Sequence, residues 1–250
     1  MPTEVDLKMR RLEAFSTMRV LDDAWFVVRL DGRNFSKLTK KEFIKPFDIG
    51  LQEMFAKTTT MLMEEFSCAY GYAISDEISL LFQKDFKVFD RQVEKIVSLT
   101  AAAASSQMSM LTGKRMQFDS RVVVLPGDKN VLEYFRWRQD DGFRNALIDL
   151  CYWTLLKSGN GMTEAKAQTE LNGQSFEKKI TLLFSHNVDY FKMPSQFRRG
   201  AGFIWQNFQK EGFNPQLNQS VTVERRRIAS VYDLPAGTEY EQFITSQLTK

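Results

Sequence analysis

One stretch of the sequence, CAYGYAISDEISLLF (Cys68–Phe82), decides the fold that we predict. It contains two short apolar runs, Cys68–Ile74 and Ile78–Phe82, separated only by the tripeptide SDE. Such a short polar connection between two β-prone runs predicts an antiparallel hairpin. The acidic pair Asp76 and Glu77 is therefore expected in the turn, at one edge of a sheet.

The sequence on either side of this hairpin completes one arrangement of strands and helices. Trp25–Leu30 (WFVVRL) and Phe118–Leu125 (FDSRVVVL) read as further strands, because both are short and rich in β-branched residues. Asp48 is a predicted N-cap, and apolar residues recur every three or four positions over 51–66, which indicates an amphipathic helix. A second helical pattern covers Val88–Leu111. The order βαββαβ predicts an α+β, ferredoxin-like fold with antiparallel strand order 4-1-3-2.

This strand order brings distant acidic residues together. The first and third strands are neighbours, so Asp31 at the end of the first strand is expected beside Asp76 and Glu77. Gathered carboxylates repel one another unless a cation neutralises them, and oxygen-only ligands select hard cations such as Mg²⁺. Two such ions about 3.5–4 Å apart can stabilise the attacking and leaving oxygens of a phosphoryl-type displacement. The alternative interpretation, that aspartates simply favour turns, stays open at this point.

A glycine-containing loop, GRNFSK (Gly32–Lys37), follows Asp31 directly. Glycine allows the backbone to approach a ligand closely, and successive N–H groups in such a loop can bind an anion. The pattern G-x-x-x-x-G-K-[ST] of phosphate-binding P-loops does not occur anywhere in the chain. The loop is therefore either a phosphate-binding element of another kind or a plain connection.

Composition excludes several classes of protein. The chain has 250 residues with 34 Lys+Arg against 31 Asp+Glu, and 43% of its residues are hydrophobic, which is typical of a globular protein with a sizeable core. It contains neither an apolar run of membrane-spanning length nor an apolar signal-peptide segment at its start, so we expect a cytoplasmic protein without membrane contacts. Two cysteines, Cys68 and Cys151, cannot form a disulfide framework and are expected in the core. The single histidine, His186, excludes a His/Cys zinc site and is interpreted as structural.

Charge is concentrated in one segment, Lys192–Arg227, which has seven basic and two acidic residues interleaved with aromatic ones. Cations suit phosphates and aromatic rings suit bases, so this segment could bind nucleic acid. An ordinary solvated face over a few core aromatics is the alternative. Downstream of the fourth strand the sequence is mostly helical. Asn130 and Glu133 resemble a capping box, and Thr163–Leu171 reads as a short helix.

Eight motifs, in this order, resemble those of the tRNA(His) guanylyltransferases and their guanylyltransferase-like relatives, the 3′-to-5′ polymerases. They are VVRLDGRNFSKL (Val27–Leu38), FIKPFD (Phe43–Asp48), AYGYAISDE (Ala69–Glu77), FDSRVVVLP (Phe118–Pro126), YFRWRQDD (Tyr134–Asp141), CYWTLLKSG (Cys151–Gly159), LLFS (Leu182–Ser185) and FRRGAGFIW (Phe197–Trp205). The resemblance implies a polymerase-type palm over residues 1–128. It also implies an additional, mostly helical C-terminal region over 129–250, with some strand, packed on the palm and not an independent domain.

The resemblance also assigns roles to individual residues. It implies that Asp31, Asp76 and the Gly32 carbonyl hold two Mg²⁺ ions, with Glu77 as an adjacent catalytic acid. The nucleotide-binding residues that it implies are Gly32, Arg33, Asn34, Phe35, Lys45, Asp48 and Ser75. The residues that it implies for RNA or phosphate binding are Arg198, Arg199, Arg144 and Asn145.

The implied activity is nucleotidyl transfer to the 5′ end of tRNA. ATP activates a 5′-monophosphate end, and the 3′-hydroxyl of an incoming GTP or other nucleoside triphosphate then attacks it. The implied partners are the tRNA acceptor stem and, in a homotetramer, further copies of the chain. A nucleotide cyclase would share the palm and its metals but release a cyclic product.

One segment departs from the guanylyltransferases proper. Where these carry H-I-N-N-L-Y, this chain has FRNALI (143–148), and Phe143 replaces the histidine. The resemblance therefore favours template-dependent addition to truncated tRNA 5′ ends, with addition of a single G at position −1 as the alternative. A non-catalytic RNA-binding module of βαββαβ order is a further alternative. It is disfavoured because its sheet would carry an acidic edge that repels phosphates.

Overall fold

The computed structural model describes residues 2–159, 161–214 and 218–249. Its α-helices are α1 (Glu4–Leu12), α2 (Phe35–Glu42), α3 (Ile49–Phe66), α4 (Val93–Thr112), α5 (Asp128–Lys157), α6 (Glu164–Leu171), α7 (Phe176–Ser185), α8 (Ser195–Arg199) and α9 (Gly237–Leu248). Its strands are β1 (Trp25–Gly32), β2 (Tyr70–Ile74), β3 (Glu77–Phe82), β4 (Phe118–Leu125), β5 (Ala201–Asn214) and β6 (Gln219–Val231). Short 3₁₀ helices lie at Val88–Arg91 and Tyr190–Lys192.

In the described part of the chain the strands form one antiparallel sheet with the order β4-β1-β3-β2-β5-β6. The predicted α+β fold and its strand order 4-1-3-2 are confirmed in the first four strands. The long β5–β6 hairpin, which continues the sheet beyond β2, was not predicted. Most side chains of β6 are exposed, so the sequence lacks the alternating apolar pattern that identifies a strand with one buried face.

Two hydrophobic layers cover the two faces of the sheet, because successive side chains of a strand point to opposite faces. Phe26 and Leu30 of β1 pack with α3 and α4 on one face. Val27 of β1 and Tyr72 of β2 pack with α5 and α9 on the other face. A third cluster joins the C-terminal half of α5 to α6 and α7. The long helix α5 therefore belongs both to the sheet and to the helical region beyond it.

The β2–β3 turn is tighter than the sequence indicated. Ser75 has φ 55°, in the left-handed region, and the turn consists of Ser75 and Asp76. Glu77 is already the first residue of β3 and pairs with Asp31, which lies inside β1 and not at its end. The carboxylate of Glu77 is thus fixed by the strand, whereas that of Asp76 is presented by the turn.

Local hydrogen bonds show where α3 and α5 begin. The predicted N-cap Asp48 is confirmed: its Oδ1 accepts a hydrogen bond from the Leu51 N–H at 2.8 Å. The predicted N-cap Asn130 is wrong, since α5 begins at Asp128 and Asn130 Oδ1 accepts from the Gly127 N–H at 3.2 Å.

Helix α5 passes very close to β2 at Gly142. A Cβ atom on this glycine would lie 2.0 Å from Ile74 Cδ1. This close approach places the next turns of α5 beside the β2–β3 turn. No helix in the described residues is long and apolar enough to span a membrane.

Candidate active site

A cavity of about 1090 Å³ opens at the sheet edge formed by β1 and the β2–β3 turn. This volume is at the upper end of the usual range for small-molecule sites, about 300–1,000 Å³. Among the predicted site residues, those that line the cavity are Asp31, Phe35, Lys45, Asp48, Ser75, Asp76, Glu77 and Asn145. Residues from the palm and from α5 therefore converge on one space large enough for a nucleotide.

Asp31 and Asp76 meet at the floor of this cavity, as the strand order predicted. The Gly32 N–H donates to the Asp76 carbonyl oxygen at 3.1 Å, which joins the end of β1 to the turn. Burial raises the pKa of Asp76 above its ordinary value, and the negative charge of Asp31 raises it further. Neither side chain forms an ion pair in the described part of the chain. The two carboxylates are thus close, partly buried and without a fixed positive partner.

The chemistry of this pair fits a hard cation. Both donors are carboxylate oxygens. No group of three or more His, Cys, Asp or Glu side chains capable of holding a metal occurs among the described residues. Mg²⁺ typically takes only one or two protein carboxylates and completes its shell with water and substrate phosphates. Asp31 and Asp76 could therefore hold Mg²⁺ together with a nucleotide.

Glu77 has very different surroundings. Both of its oxygens accept hydrogen bonds from Arg138 of α5, Oε1 from Nε and Oε2 from Nη2, each at 2.7 Å. Arg29 adds a longer ion pair at 3.9 Å. Burial raises the pKa of Glu77, and the Arg138 hydrogen bonds and charge act against this rise. Arg138 thus engages both oxygens of Glu77, and the catalytic role predicted for this residue stays a prediction.

The loop after Asp31 divides its side chains between two spaces. The ring of Phe35 is buried against Phe55 and Phe118, with centroid distances of 5.8 and 5.1 Å, so it belongs to the core and only borders the cavity. Arg33 and Asn34 line a separate cavity of about 370 Å³ instead. Phe35 lines both cavities, and the prediction that Arg33, Asn34 and Phe35 wrap a triphosphate with backbone and side-chain groups stays a prediction.

A tight packing contact fixes the shape of this loop. A Cβ atom on Gly32 would lie 2.3 Å from the Phe35 ring, which explains the need for glycine. This contact fixes the backbone between Gly32 and Phe35.

Lys45 supplies a positive charge to the cavity. Its Nζ donates to Thr39 Oγ1 at 2.7 Å, and burial lowers its pKa, while the charges of Asp149, Asp76 and Asp48 act in the opposite direction. Asp149 also lines the cavity, and the surrounding protein raises its pKa by desolvation. Asp149 was not predicted as a site residue. It lies one residue beyond FRNALI (143–148), the segment that departs from the guanylyltransferases proper.

Family comparisons agree with this geometry. The family model described as "tRNAHis guanylyltransferase" matches residues 6–126, and the model described as "Thg1 C terminal domain" matches residues 129–233. The chain is 32% identical to a "Probable tRNA(His) guanylyltransferase" of Dictyostelium discoideum over 80% of this chain and 83% of the relative. A relative of the same name from Homo sapiens is 30% identical over 88% and 77%. The chain belongs to the tRNA(His) guanylyltransferase family. It is a nucleotidyltransferase.

Solved structures of guanylyltransferases share the fold. A bacterial guanylyltransferase-like protein, solved in complex with GTP, superposes with a TM-score of 0.74 over 99% of this chain and all of that chain, at 22% identity. The tRNA(His) guanylyltransferase of Saccharomyces cerevisiae superposes with a TM-score of 0.69 over 76% and 90%, at 26% identity. The palm and the β5–β6 hairpin of this chain therefore belong to a fold seen in solved structures of similar proteins.

The segment that departs from the guanylyltransferases proper lies on α5 at the cavity rim. Phe143 packs edge-on against Tyr190, with centroids 5.1 Å apart, and its carbonyl accepts a hydrogen bond from the Tyr190 O–H at 2.7 Å. Asp141 accepts hydrogen bonds from Arg144 at 3.0 Å and from Asn145 at 3.4 Å. Only Asn145 of these two lines the cavity, while Arg144 is exposed outside it.

The arginine pair of α8, Arg198 and Arg199, also lies outside the cavity. Arg198 Nε donates to the Met193 carbonyl at 2.9 Å, and Arg199 Nη1 donates to the Leu234 carbonyl at 3.2 Å. Burial and the neighbouring charge of Arg199 lower the pKa of Arg198. The preceding residue, Phe197, does line the cavity. The structure thus places both arginines just beyond the rim, where each is already held by a backbone carbonyl.

Proposed function

We propose that this nucleotidyltransferase adds nucleotides to the 5′ ends of truncated tRNAs in the 3′-to-5′ direction, choosing each nucleotide by pairing with the opposite acceptor strand. The observation that carries this proposal is the meeting of Asp31, Asp76 and Lys45 in one cavity of nucleotide size. Two carboxylates suit a metal-bound triphosphate, and an ammonium group beside them suits its phosphates.

In this proposal Asp31, Asp76 and the Gly32 carbonyl hold two Mg²⁺ ions. When bound, Mg²⁺ would lower the pKa of the attacking hydroxyl and neutralise charge on the departing group. Lys45 binds the triphosphate, and the backbone of residues 32–34 lies beside it. Ser75, whose hydroxyl donates to Asp76 Oδ1 at 3.2 Å, orients that carboxylate. Asp48 contributes by capping α3 at the cavity wall.

We propose that the reaction has two steps. An oxygen of the RNA 5′-monophosphate attacks the α-phosphorus of ATP, and pyrophosphate leaves. The 3′-hydroxyl of the incoming nucleoside triphosphate then attacks the adenylylated 5′-phosphate, its proton is lost to solvent, and AMP leaves. Similar solved proteins are named as complexes with GTP and with ATP, which supports the use of both nucleotides here.

The choice of template pairing over a fixed addition rests on Phe143. At this position the family's histidine block is replaced by an aromatic ring that packs on Tyr190 and offers no polar group to a substrate. With that determinant gone, Watson–Crick pairing remains as the source of nucleotide choice. The second candidate is a tRNA(His) guanylyltransferase proper that adds one G at position −1, and the names of the curated relatives favour it.

The tRNA is held from outside the cavity. We propose that Arg198, Arg199, Arg144 and Asn145 contact the RNA or its phosphates, which requires the arginines to give up or extend their present hydrogen bonds. We further propose a homotetramer, to be tested by sedimentation.

A primer-extension experiment separates the two candidates. A tRNA lacking its first nucleotide is incubated with Mg²⁺, ATP and all four nucleoside triphosphates, with each of the four bases at the opposing position, and the products are sequenced. We expect the added nucleotide to follow the opposing base, with little preference for a histidine anticodon. Addition of G regardless of that base, or strict selection of tRNA(His), would instead support the guanylyltransferase proper.

A further inference from the structure

Trp137 lies on α5 beside the reacting edge and has no part in the function described above. The residue is 49% exposed. The guanidinium of Arg138 lies 4.6 Å from its ring centroid, and that of Arg29 lies 5.5 Å away. Both guanidinium groups also face Glu77, which pairs across the strands with Asp31. A large, exposed indole is thus connected through one layer of side chains to the proposed metal site.

The guanidinium groups near this ring differ in how closely they are bound by carboxylates. Arg29 Nε is buried and has no hydrogen-bond partner among the described residues. Arg29 also lies directly opposite Arg121 across the β1–β4 pair. A buried donor without a hydrogen-bond partner destabilises a fold. Arg121 is exposed and donates to Asp119 Oδ1 at 2.6 Å. Arg29 beside the indole and Arg121 opposite Arg29 place two guanidinium groups at one surface, which we call the Trp137 surface (Trp137, Arg29 and Arg121).

We propose that Trp137 stacks on a nucleobase at the reacting end of the substrate, with the phosphate of that nucleotide near Arg29 and Arg121. A single exposed aromatic residue is common on protein surfaces and carries no such meaning alone. An exposed indole beside guanidinium groups has the two elements of a nucleotide site, a ring for the base and cations for the phosphate. The inference rests on the proposed function, because it places this base beside the site of nucleotide addition.

A templated addition explains why such a ring is useful. The new base pair is the last pair of a helical stem, so one of its faces has no neighbouring pair to stack on. An indole at the sheet edge would cover that face and hold the pair in line with the reacting groups. The stacked base belongs either to the RNA end or to the incoming nucleotide, and both present the same ring and phosphate.

Tryptophan fluorescence tests the stacking directly. The chain has four tryptophans, and a base stacked on Trp137 should quench its emission. The wild type, Trp137→Phe, Trp137→Leu and Trp137→Ala are each titrated with a 5′-truncated tRNA, and separately with GTP alone, without ATP. We expect quenching in the wild type that is largely lost in Trp137→Phe, although this variant binds within about threefold of the wild type.

Affinity provides the second readout. Base–aromatic stacking predicts about tenfold weaker binding for Trp137→Ala and Trp137→Leu, since leucine keeps apolar bulk but has no ring face. Trp153 lines the cavity, so only the quenching that Trp137→Phe removes reports on Trp137. If that quenching is caused by tRNA, the base is that of the RNA end, and if it is caused by GTP alone, the base is that of the incoming nucleotide. Phe184→Ala is the matched control, because Phe184 is 54% exposed on α7 away from the cavity. It should bind as the wild type does.

Two outcomes would overturn the inference. One is wild-type affinity for both ligands in Trp137→Ala and Trp137→Leu, and the other is undiminished quenching in Trp137→Phe. The proposed function fails separately, if the wild type quenches on ligand binding but adds no templated nucleotide. Thermal unfolding of each variant confirms that it is folded, and Trp137→Phe keeps the test decisive if the smaller side chains prevent folding.

Discussion

Two neighbouring carboxylates at one sheet edge have opposite surroundings. Asp76, in the β2–β3 turn, lies close to Asp31 and forms no ion pair in the described part of the chain. Glu77, one residue later in β3, accepts two hydrogen bonds from Arg138. Strand geometry accounts for this difference, because the turn presents one side chain to the cavity and the first residue of the strand presents the next one to α5.

The comparison distinguishes carboxylates that are left to bind a cation, Asp31 and Asp76, from a carboxylate that stabilises the fold, Glu77. Close, unneutralised carboxylates oppose folding and are typical of sites where a cation arrives with the substrate. A carboxylate bound at both oxygens by one guanidinium is neutral as a pair, and breaking the pair leaves a buried charge. Substitutions in the first region should therefore affect activity, and substitutions in the second should affect stability.

The largest expected effect is on activity, at the Asp31–Asp76 edge. Asp31→Asn and Asp76→Asn should each reduce nucleotide addition by at least about 1000-fold, since the proposed metal site loses a charged ligand. The free energy of unfolding should stay equal or rise, because the repulsion between the two carboxylates is removed. Single-turnover extension of a truncated tRNA in saturating Mg²⁺, together with thermal unfolding, measures both. Near-normal turnover in either variant would contradict the assignment.

The second effect is on stability, at the Glu77–Arg138 pair. Arg138→Ala should lower the free energy of unfolding by about 3–5 kcal/mol, because the buried Glu77 loses both hydrogen bonds. Arg144→Ala is the matched control on the same helix. It breaks an exposed ion pair with Asp141 and should cost less than about 1 kcal/mol. Denaturant unfolding of the two variants compares them, and equal losses would remove the distinction between the two regions.

A smaller effect is expected on nucleotide binding, at Lys45 in the cavity. Lys45→Ala should raise the KM for the nucleoside triphosphate about tenfold with a smaller change in kcat, since a single charged phosphate contact is lost. Lys41→Ala serves as the control, because Lys41 is exposed and does not line the cavity. Steady-state kinetics with varied nucleotide concentration measure the split. An unchanged KM in Lys45→Ala would exclude Lys45 from the triphosphate site.

The smallest effect is on the pH dependence of stability. The pKa of Asp76 is raised in the folded protein, so between its unfolded and folded values the native state binds more protons than the unfolded state. Stability should therefore fall as the pH rises through this window above 3.8, the ordinary pKa of the group. Asp76→Asn removes this contribution. The Tm of this variant minus the Tm of the wild type should therefore increase as the pH rises in metal-free buffer. A constant Tm difference would contradict the raised pKa.

The sequence was sufficient for the palm and for the convergence of Asp31 with Asp76. Both follow from local patterns, since apolar periodicity identifies the elements and the strand order then determines which ends meet. The Glu77–Arg138 pair could not be predicted in the same way. Its partners are 61 residues apart, and their contact depends on how α5 crosses the sheet.

Other features depend on packing that no local pattern reveals. Arg33 and Asn34 line the smaller cavity, beside Phe35, whose ring is anchored in the core. The β5–β6 hairpin escaped prediction because its strands are paired over their length but largely exposed on their faces. Patterns of apolar residues in a sequence identify the elements that build the core. They do not identify elements that extend from it with exposed side chains.

The pairing of β2 with β5 has a consequence for the order in which the protein can fold during synthesis. Until the ribosome has made residues 201–214, β2 is the edge of an incomplete sheet with unpaired backbone groups. Tyr70 of β2 acquires its partner even later, because its hydroxyl forms a hydrogen bond with that of Tyr240, a residue 170 positions further along the chain. Contacts of such separation form slowly and leave apolar surface accessible meanwhile. The chain is therefore most prone to aggregation while the palm has been synthesised but β5 has not.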